Sequence, residues 1–442
     1  MKFNFEKFFS LAEAAGIEAA EVNYVAENST EISIYKSVVD QFSVADSEAI
    51  GARGIVNGKF GAASTEKITA KTPAELVAAI VENARVNEDD QPAIIFKGSP
   101  KYKRKTTFKK ELASVTTEEK INLLLEIEKK LAAYDPRISD VEAVAYSEET
   151  SERIKRNSYG VNLRSKSNYF YIYGSVIVKQ DEDVKSGYKI HLGNDLASVD
   201  VDKLVEEIAK NALAQLGGKP AKSGKYPVVL NPSTTASLLA AFMGNANAEN
   251  VQKQTSLFVG KLNEQVASKK VTIIENPLAN NIFYTYFDSE GVATSKKTFV
   301  EKGILKSYAY NLGTAAKEGV ETTGNAVGGG GKIGIGFRGL SIKPGKKSEE
   351  EIISTVSLGL YIKEVQGLHA GLNPQSGNFS LQANGFMIRD GKIAEPVNLI
   401  TIAGNLVTLF KDVVLVGNNL ELQPSSILTP SIKVKSLAIS GE

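Results

Sequence analysis

The sequence predicts an α+β protein: two helix–strands–helix modules followed by a β-rich C-terminal domain with a few helices. Three observations predict this class. The same order of elements (an amphipathic helix, strand-like runs, a second helix) occurs twice before residue 217. The stretch GGKPAKSGKYP, residues 217–227, then reads as a linker. Beyond it glycine becomes frequent and short apolar runs alternate with turn signals. The expected units are residues 1–110, including a basic linker, 111–222 and 223–442.

In the first module an amphipathic helix over 5–15 is stopped by Gly16. Strands are expected at 20–26, 31–45 and 49–63. The middle one alternates through Ile32, Ile34, Val39, Phe42 and Val44, as a half-buried antiparallel strand does. A helix over 73–85 follows, with Thr72 as N-cap, Pro73 in first position and Glu75 completing a capping box. The connector FKGSPKYKRKTTFKK, residues 96–110, sets Tyr102 among Lys101, Lys103, Arg104 and Lys105. With no aromatic platform or basic domain beside it, it reads as a solvated linker rather than a phosphate-binding patch.

The second module repeats the order. Thr116 and Glu119 cap a helix over 121–133, strands are expected at 140–147, 153–165 and 168–179, and a helix over 201–216 ends at Gly217-Gly218. The modules therefore share or stack their sheets. In the third unit the short strand 228–230 leads into a helix capped by Ser233 or Thr234, whose apolar face is Leu238, Leu239, Phe242 and Met243. Strands follow at 271–275, 283–288 and 299–301, with a turn at 289–291. Then come a helix capped by Ser348 and Glu351, a hairpin over 386–393 around Asp390-Gly391, a helix over 405–411 and a strand over 431–439.

Composition narrows the chemistry. The 442 residues are 42% hydrophobic and 23% charged, with a formal net charge of +1, which gives no general attraction to nucleic acid. There is no cysteine, so disulfides, thiolate metal sites and cysteine nucleophiles are excluded. His191 and His369 are the only histidines, too few for a histidine-rich metal site. The N-terminus carries Glu6 and Glu13 and lacks the apolar core of a signal peptide, and no run is long and apolar enough to span a bilayer. A cytoplasmic protein is expected.

Each candidate motif is weak alone. Gly328, Gly329, Gly330 and Gly331 precede Lys332, but Ile333 stands where a phosphate loop needs Ser or Thr. Asp181, Glu182 and Asp183 lack a full calcium-loop pattern and read as a turn. His191 reads as structural. His369 sits in GLHAGLNPQSGNFS, residues 367–380, with Asn373, Ser376 and Asn378. That density of glycine and polar groups suits a loop lining a cleft, without the orienting group a Ser/His nucleophile needs.

Five stretches in order, FDSEGVAT (287–294), TTGNA (322–326), GLHAGLNPQSGNFS, ITIAGNL (400–406) and VGNNLEL (416–422), together resemble the TldD/PmbA family. This family has been called modulator of DNA gyrase and is associated with a metallopeptidase. The resemblance covers essentially the whole chain. In TldD-type members an HExxxH metal motif lies on the helix after a strand. Here its positions hold Ala240, Ala241 and Asn245, and the further thiolate ligand is missing. The chain therefore resembles the PmbA, or TldE, branch, which lacks the metal site.

The resemblance implies no cofactor in this chain and a heterodimer in which a TldD-like partner holds zinc. In that complex this chain completes a chamber for unfolded peptide substrates. It places Asn245, His369, Asn373, Ser376 and Asn378 as the candidate substrate cleft. The alternative it leaves open is a homodimeric, non-catalytic peptide-binding or regulatory protein, including the gyrase-modulating role. Neither reading involves direct nucleic-acid or membrane contact.

Overall fold

The computed structural model describes residues 3–88, 91–329 and 333–442. Helix α1 (Phe5–Ala14), capped by the Asn4 side chain, precedes β1 (Ala19–Tyr35), β2 (Val38–Val56), β3 (Lys59–Thr65) and α2 (Thr72–Val86). The second module is α3 (Lys110–Ala113), α4 (Thr117–Tyr134), β4 (Ile138–Asn157), β5 (Asn162–Gln180), β6 (Asp183–Gly193) and α5 (Val201–Leu213). The modules share one antiparallel sheet in the order β3-β2-β1-β4-β5-β6, joined where β1 pairs with β4 from Glu21↔Asn157 to Ile34↔Val144.

The strands are longer than expected. Residues 27–30 and 46–48, which looked like turns, lie inside β1 and β2 and pair with each other, Glu27 with Ser47 and Asn28 with Asp46. Their polarity has another cause. One core, around Tyr24, Ile50 and Phe8, sits under α1 and α2, and a second, around Ile32, Tyr146 and Phe170, under α4 and α5. Mid-sheet residues between the two helical layers stay wet and carry no apolar signal. The true turns are Lys36-Ser37 and Asn57-Gly58, all four at positive φ. In the second module the expected 153–165 is divided by a turn within 158–161: residues 153–157 join 140–147 in β4 and residues 162–165 join 168–179 in β5, while β6 appears beyond a turn at Asp181-Glu182.

Caps follow the expectation unevenly. Thr116 and Glu119 form their capping box, with Thr116 Oγ1 accepting from Glu119 N at 3.2 Å and Glu119 Oε2 from Thr116 N at 2.7 Å. Thr72 does not cap α2. It is the first helical residue after Lys71, and its hydroxyl accepts from Thr69 N at 2.8 Å and donates to Lys67 O at 3.2 Å. The basic connector is more than a solvated linker. Its lysines face water, but Tyr102 is half-buried and its hydroxyl donates to Gly291 O at 2.7 Å, strapping the sheet to the C-terminal unit.

That unit begins with β7 (Gly224–Leu230), α6 (Pro232–Met243) and α7 (Ala248–Gln252). Next come β8 (Ile273–Glu275), β9 (Lys297–Glu301), β10 (Ile304–Leu305), α8 (Leu312–Glu318), β11 (Ala326–Gly328), β12 (Ile333–Ile335) and β13 (Leu340–Ile342). It continues with α9 (Glu349–Ile353), β14 (Leu358–Gln366), α10 (Leu368–Gly371), β15 (Asn378–Arg389), β16 (Lys392–Asn405), α11 (Leu406–Lys411), β17 (Val413–Val416), β18 (Glu421–Leu422), β19 (Leu428–Thr429) and β20 (Ile432–Ser440). The Asp390-Gly391 turn and the capping box of Ser348 and Glu351 form as expected.

One sheet runs β16-β15-β14-β7-β20-β17, and an added β16–β20 pairing closes it into a barrel. A second runs β10-β9-β8-β13-β19-β18. β7 reads as an unbroken apolar run because it is buried on both faces, Val228 and Leu230 in the main core and Val229 against α9. The strand expected at 283–288 is absent. That segment is irregular, with a single bridge between Phe287 and Ala293, and its Tyr286 and Phe287 pack on Val161 and Leu163 of the N-terminal half. Gly330, Gly331 and Lys332 of the glycine run lie outside the described residues. Among the described residues no helix is long and apolar enough to cross a membrane.

Candidate functional site

Helix α6 leaves β7 through Asn231, whose side chain accepts from Thr234 N at 2.8 Å. Asn231, not Ser233 or Thr234, is the N-cap, because Pro232 already occupies the first helical position. Leu238, Leu239, Phe242 and Met243 are fully buried, and Phe242 stacks on Phe410 of α11 at 4.2 Å between centroids. The opposite face is bare. Ser233, Ala240 and Gly244 are exposed, Ser237 and Ala241 are half-buried, and a β-carbon built at Gly244 meets nothing within 4 Å.

Asn245 turns away from that face. It is buried, its Nδ2 donates to the carbonyls of Ala241 at 3.3 Å and Phe242 at 3.2 Å, and its Oδ1 accepts from Leu257 N at 3.1 Å. Its backbone carbonyl also accepts from Ser256 Oγ at 2.6 Å. The amide thus closes the end of α6 and fixes residues 256–257 beside it. Two methyl groups and a committed amide do not fit a metal ion, which needs free lone pairs converging on one point. Among the described residues no group of three or more His, Asp or Glu side chains is placed to hold one.

The loop over residues 367–378 is built to be rigid. Asn373 Oδ1 accepts from the N–H groups of Gln375 and Ser376, both at 3.0 Å, and Ser376 Oγ accepts from Asn378 N at 3.3 Å. Asn405, the N-cap of α11, donates from Nδ2 to Ser376 O at 2.8 Å and Asn378 Oδ1 at 3.0 Å. Gly377 has φ +74, a backbone conformation that favours glycine, and Leu257 Cδ1 packs where its β-carbon would stand, 2.7 Å away. Leu257 therefore links the end of α6 to the loop: Asn245 holds its backbone and Gly377 seats its side chain. His369 stands exposed on α10. His191 lies elsewhere, half-buried on β6 and stacked on Phe170 with its pKa lowered by burial.

Sequence reasoning missed a buried charge lattice at the junction of the two halves. Arg53 and Lys155 both reach Glu21 Oε1, at 2.6 and 2.8 Å, and Lys155 also donates to Ser289 O at 3.0 Å. Asp288, fully buried, accepts from the N–H groups of Glu290 and Val292 at 2.9 Å and of Ala326 at 3.0 Å. Glu290 accepts from Leu312 N at 2.8 Å and lies 3.7 Å from Arg53. The FDSEG stretch is thus the joint between sheet and C-terminal unit.

Burial opposes ionisation of Glu21, but Arg53 and Lys155 outweigh it and hold its pKa low. For Glu290 burial dominates, helped by the neighbouring Asp288, and raises its pKa to about 7 against the pull of Arg53. The usable sequence signal was Glu21, a lone charge in the apolar start of β1.

Three family models described as PmbA/TldA metallopeptidase match in series: domain 1 at residues 20–84, the central domain at 110–216 and the C-terminal domain at 223–441. The chain is 26% identical to the metalloprotease PmbA of Escherichia coli O157:H7 over 424 residues, covering 94% of this chain and 92% of that one. A solved Thermotoga maritima structure named for modulation of a DNA gyrase shares 31% identity and superposes with a TM-score of 0.90, covering 99% of this chain and 100% of that one. TldE from Thermococcus kodakarensis shares 25% identity with a TM-score of 0.89, covering 99% of each chain.

Proposed function

The chain belongs to the PmbA/TldD metallopeptidase family, and from that footing we propose that it is the metal-free, TldE-like subunit of a two-chain peptidase acting on unfolded peptides. One observation carries the reading. At the helix where metal-binding relatives place their ligands, this chain presents the methyl groups of Ala240 and Ala241, and Asn245 is committed to its own helix end. The zinc and the general base would then reside in a TldD-like partner.

This chain's part is to shape the chamber wall. The bare α6 face and the braced loop at 367–378, neither of which carries a charged side chain, would line it, with one imidazole, His369, on the loop. Such a surface passes an extended peptide without selecting side chains, because main-chain groups do the binding. Filling the face tests the assignment. An Ala240→Trp/Gly244→Trp chain is expected to fold and co-elute with a TldD-like subunit, while cleavage of an unfolded polypeptide by the mixture falls about tenfold. Unchanged cleavage with that face filled would remove α6 from the chamber. Homodimers that ignore the partner in size-exclusion runs would favour the regulatory alternative.

A further inference from the structure

The hairpin of β1 and β2 runs past β3, its short neighbour at the edge of the sheet. β2 pairs with β1 along its whole length, but β3 pairs with β2 only from Ile50↔Thr65 to Val56↔Lys59. Residues 38–49 therefore form a sheet edge with no strand neighbour among the described residues, about 40 Å long at the usual strand rise. Ser37 N donates to Glu128 Oε2 of α4 at 2.8 Å, which anchors the hairpin tip.

The register sorts this edge into two zones. Ile34 faces Val39 and Ser33 faces Gln41, so Asp40 is the extra residue of a β-bulge. The bulge brings Val39 onto the same face as Phe42, Val44, Asp46 and Glu48, opposite Ile34, Ile32, Thr30, Asn28 and Ala26. Phe42 is 50%, Val44 54% and Val39 42% exposed. An apolar zone is thus followed along one strand by an acidic one. Charged side chains and bulges commonly shield an edge against pairing; here, past the bulge at Asp40, the edge presents solvent-facing Phe42 and Val44.

We infer that the free edge of β2 is an accessory docking site for an extended substrate segment with alternating apolar residues followed by lysine or arginine. The inference rests on the peptide-processing role proposed above and names where, away from α6, the substrate is first held. An incoming strand paired parallel to β2 satisfies the outward N–H and C=O groups of 38–49, lays apolar side chains on Val39, Phe42 and Val44, and sets cations against Asp46 and Glu48. A second copy of the edge fits poorly. Residues 38–49 contain no lysine or arginine, so any self-pairing leaves the acidic pair without a counter-charge.

The test uses the isolated full-length chain and two synthetic twelve-residue peptides, alternating Val/Thr and ending in Lys-Thr-Lys or in Glu-Thr-Glu. Fluorescence anisotropy gives affinity, and hydrogen exchange reports protection of amides 38–49. The lysine peptide is expected to bind preferentially and to protect those amides. Asp46→Lys/Glu48→Lys is expected to weaken it about tenfold and to reverse the preference. Phe42→Ser, an exposed change that leaves the charges in place, is expected to weaken both peptides.

Unprotected 38–49 amides, or a preference unmoved by charge reversal, would overturn the site. So would protection that grows with the concentration of the chain alone, or that appears only when a TldD-like subunit is added, since the edge would then be an interface. The outcomes separate this site from the subunit role. Cleavage by the mixed pair without protection of β2 refutes only the edge. Peptide protection of β2 in a chain that never supports cleavage keeps the edge and refutes the subunit role.

Discussion

Glu290 shows how far one residue's state depends on contacts distant in sequence. It is buried between Arg53 from β2 and the Leu312 N–H at the start of α8. Its pKa rises from an ordinary 4.5 to about 7, so between those values the folded chain binds the proton that the unfolded chain has released. The contribution to stability is full below pH 4.5 and is lost as pH rises through 7. Asp288, also raised by burial, acts in the same direction. The unfolding free energy is therefore expected to fall by on the order of 2 kcal/mol from Glu290 between pH 5 and pH 8, with Asp288 adding in the same direction. Glu290→Gln should flatten that slope in urea titrations at the two pH values, and an unaltered slope would contradict the assignment. Asn245 carries the same lesson for the candidate site. Its position was legible through the resemblance, but its work was not, because its Oδ1 partner, Leu257 N, is fixed only by the fold.

At the scale of elements, both N-terminal modules place their last helix on an edge strand at a glycine. A β-carbon at Gly61 of β3 would lie 1.8 Å from Ile80 O of α2, and one at Gly187 of β6 would lie 2.3 Å from Ala212 N of α5. The close approach is the same device at equivalent places, which supports reading the modules as a pair. Gly187→Val is expected to cost about 1–3 kcal/mol by forcing α5 off the sheet, measurable as a lowered denaturation midpoint. A neutral effect would mean that α5 is not seated as described. The helix–strands–helix order, the α4 and α9 capping boxes and the Asp390-Gly391 hairpin were legible because each is a local signal. The strand limits were not. Periodicity reports burial, and the middles of β1 and β2 lie half-buried or exposed between two helical layers, while the middle of β4 carries polar side chains such as Glu148 and Arg153, which pair with Lys120 and Ser289. The strand expected at 283–288 failed for the opposite reason. Its aromatic residues are apolar because they pack on the other half of the chain, not because they pair in a sheet.

For the whole molecule, the N-terminal sheet is fastened to the C-terminal unit at the FDSEG joint by Tyr102, Lys155 and Asp288. On it the α6 face and the 367–378 loop share a support through Leu257. The fold is that of the PmbA/TldD metallopeptidase family, and Ala240, Ala241 and Asn245, at the positions the family resemblance gives to metal ligands, offer no free donor atoms, which is why we propose binding rather than bond cleavage for it. The most direct measurement is zinc content together with cleavage of an unfolded polypeptide, for the purified chain alone and mixed with a TldD-like subunit. The account expects no stoichiometric zinc and no cleavage from the chain alone, and cleavage in the mixture that requires it. Stoichiometric zinc bound to the isolated chain, or cleavage without a partner, would contradict it and would turn attention to His369 and His191.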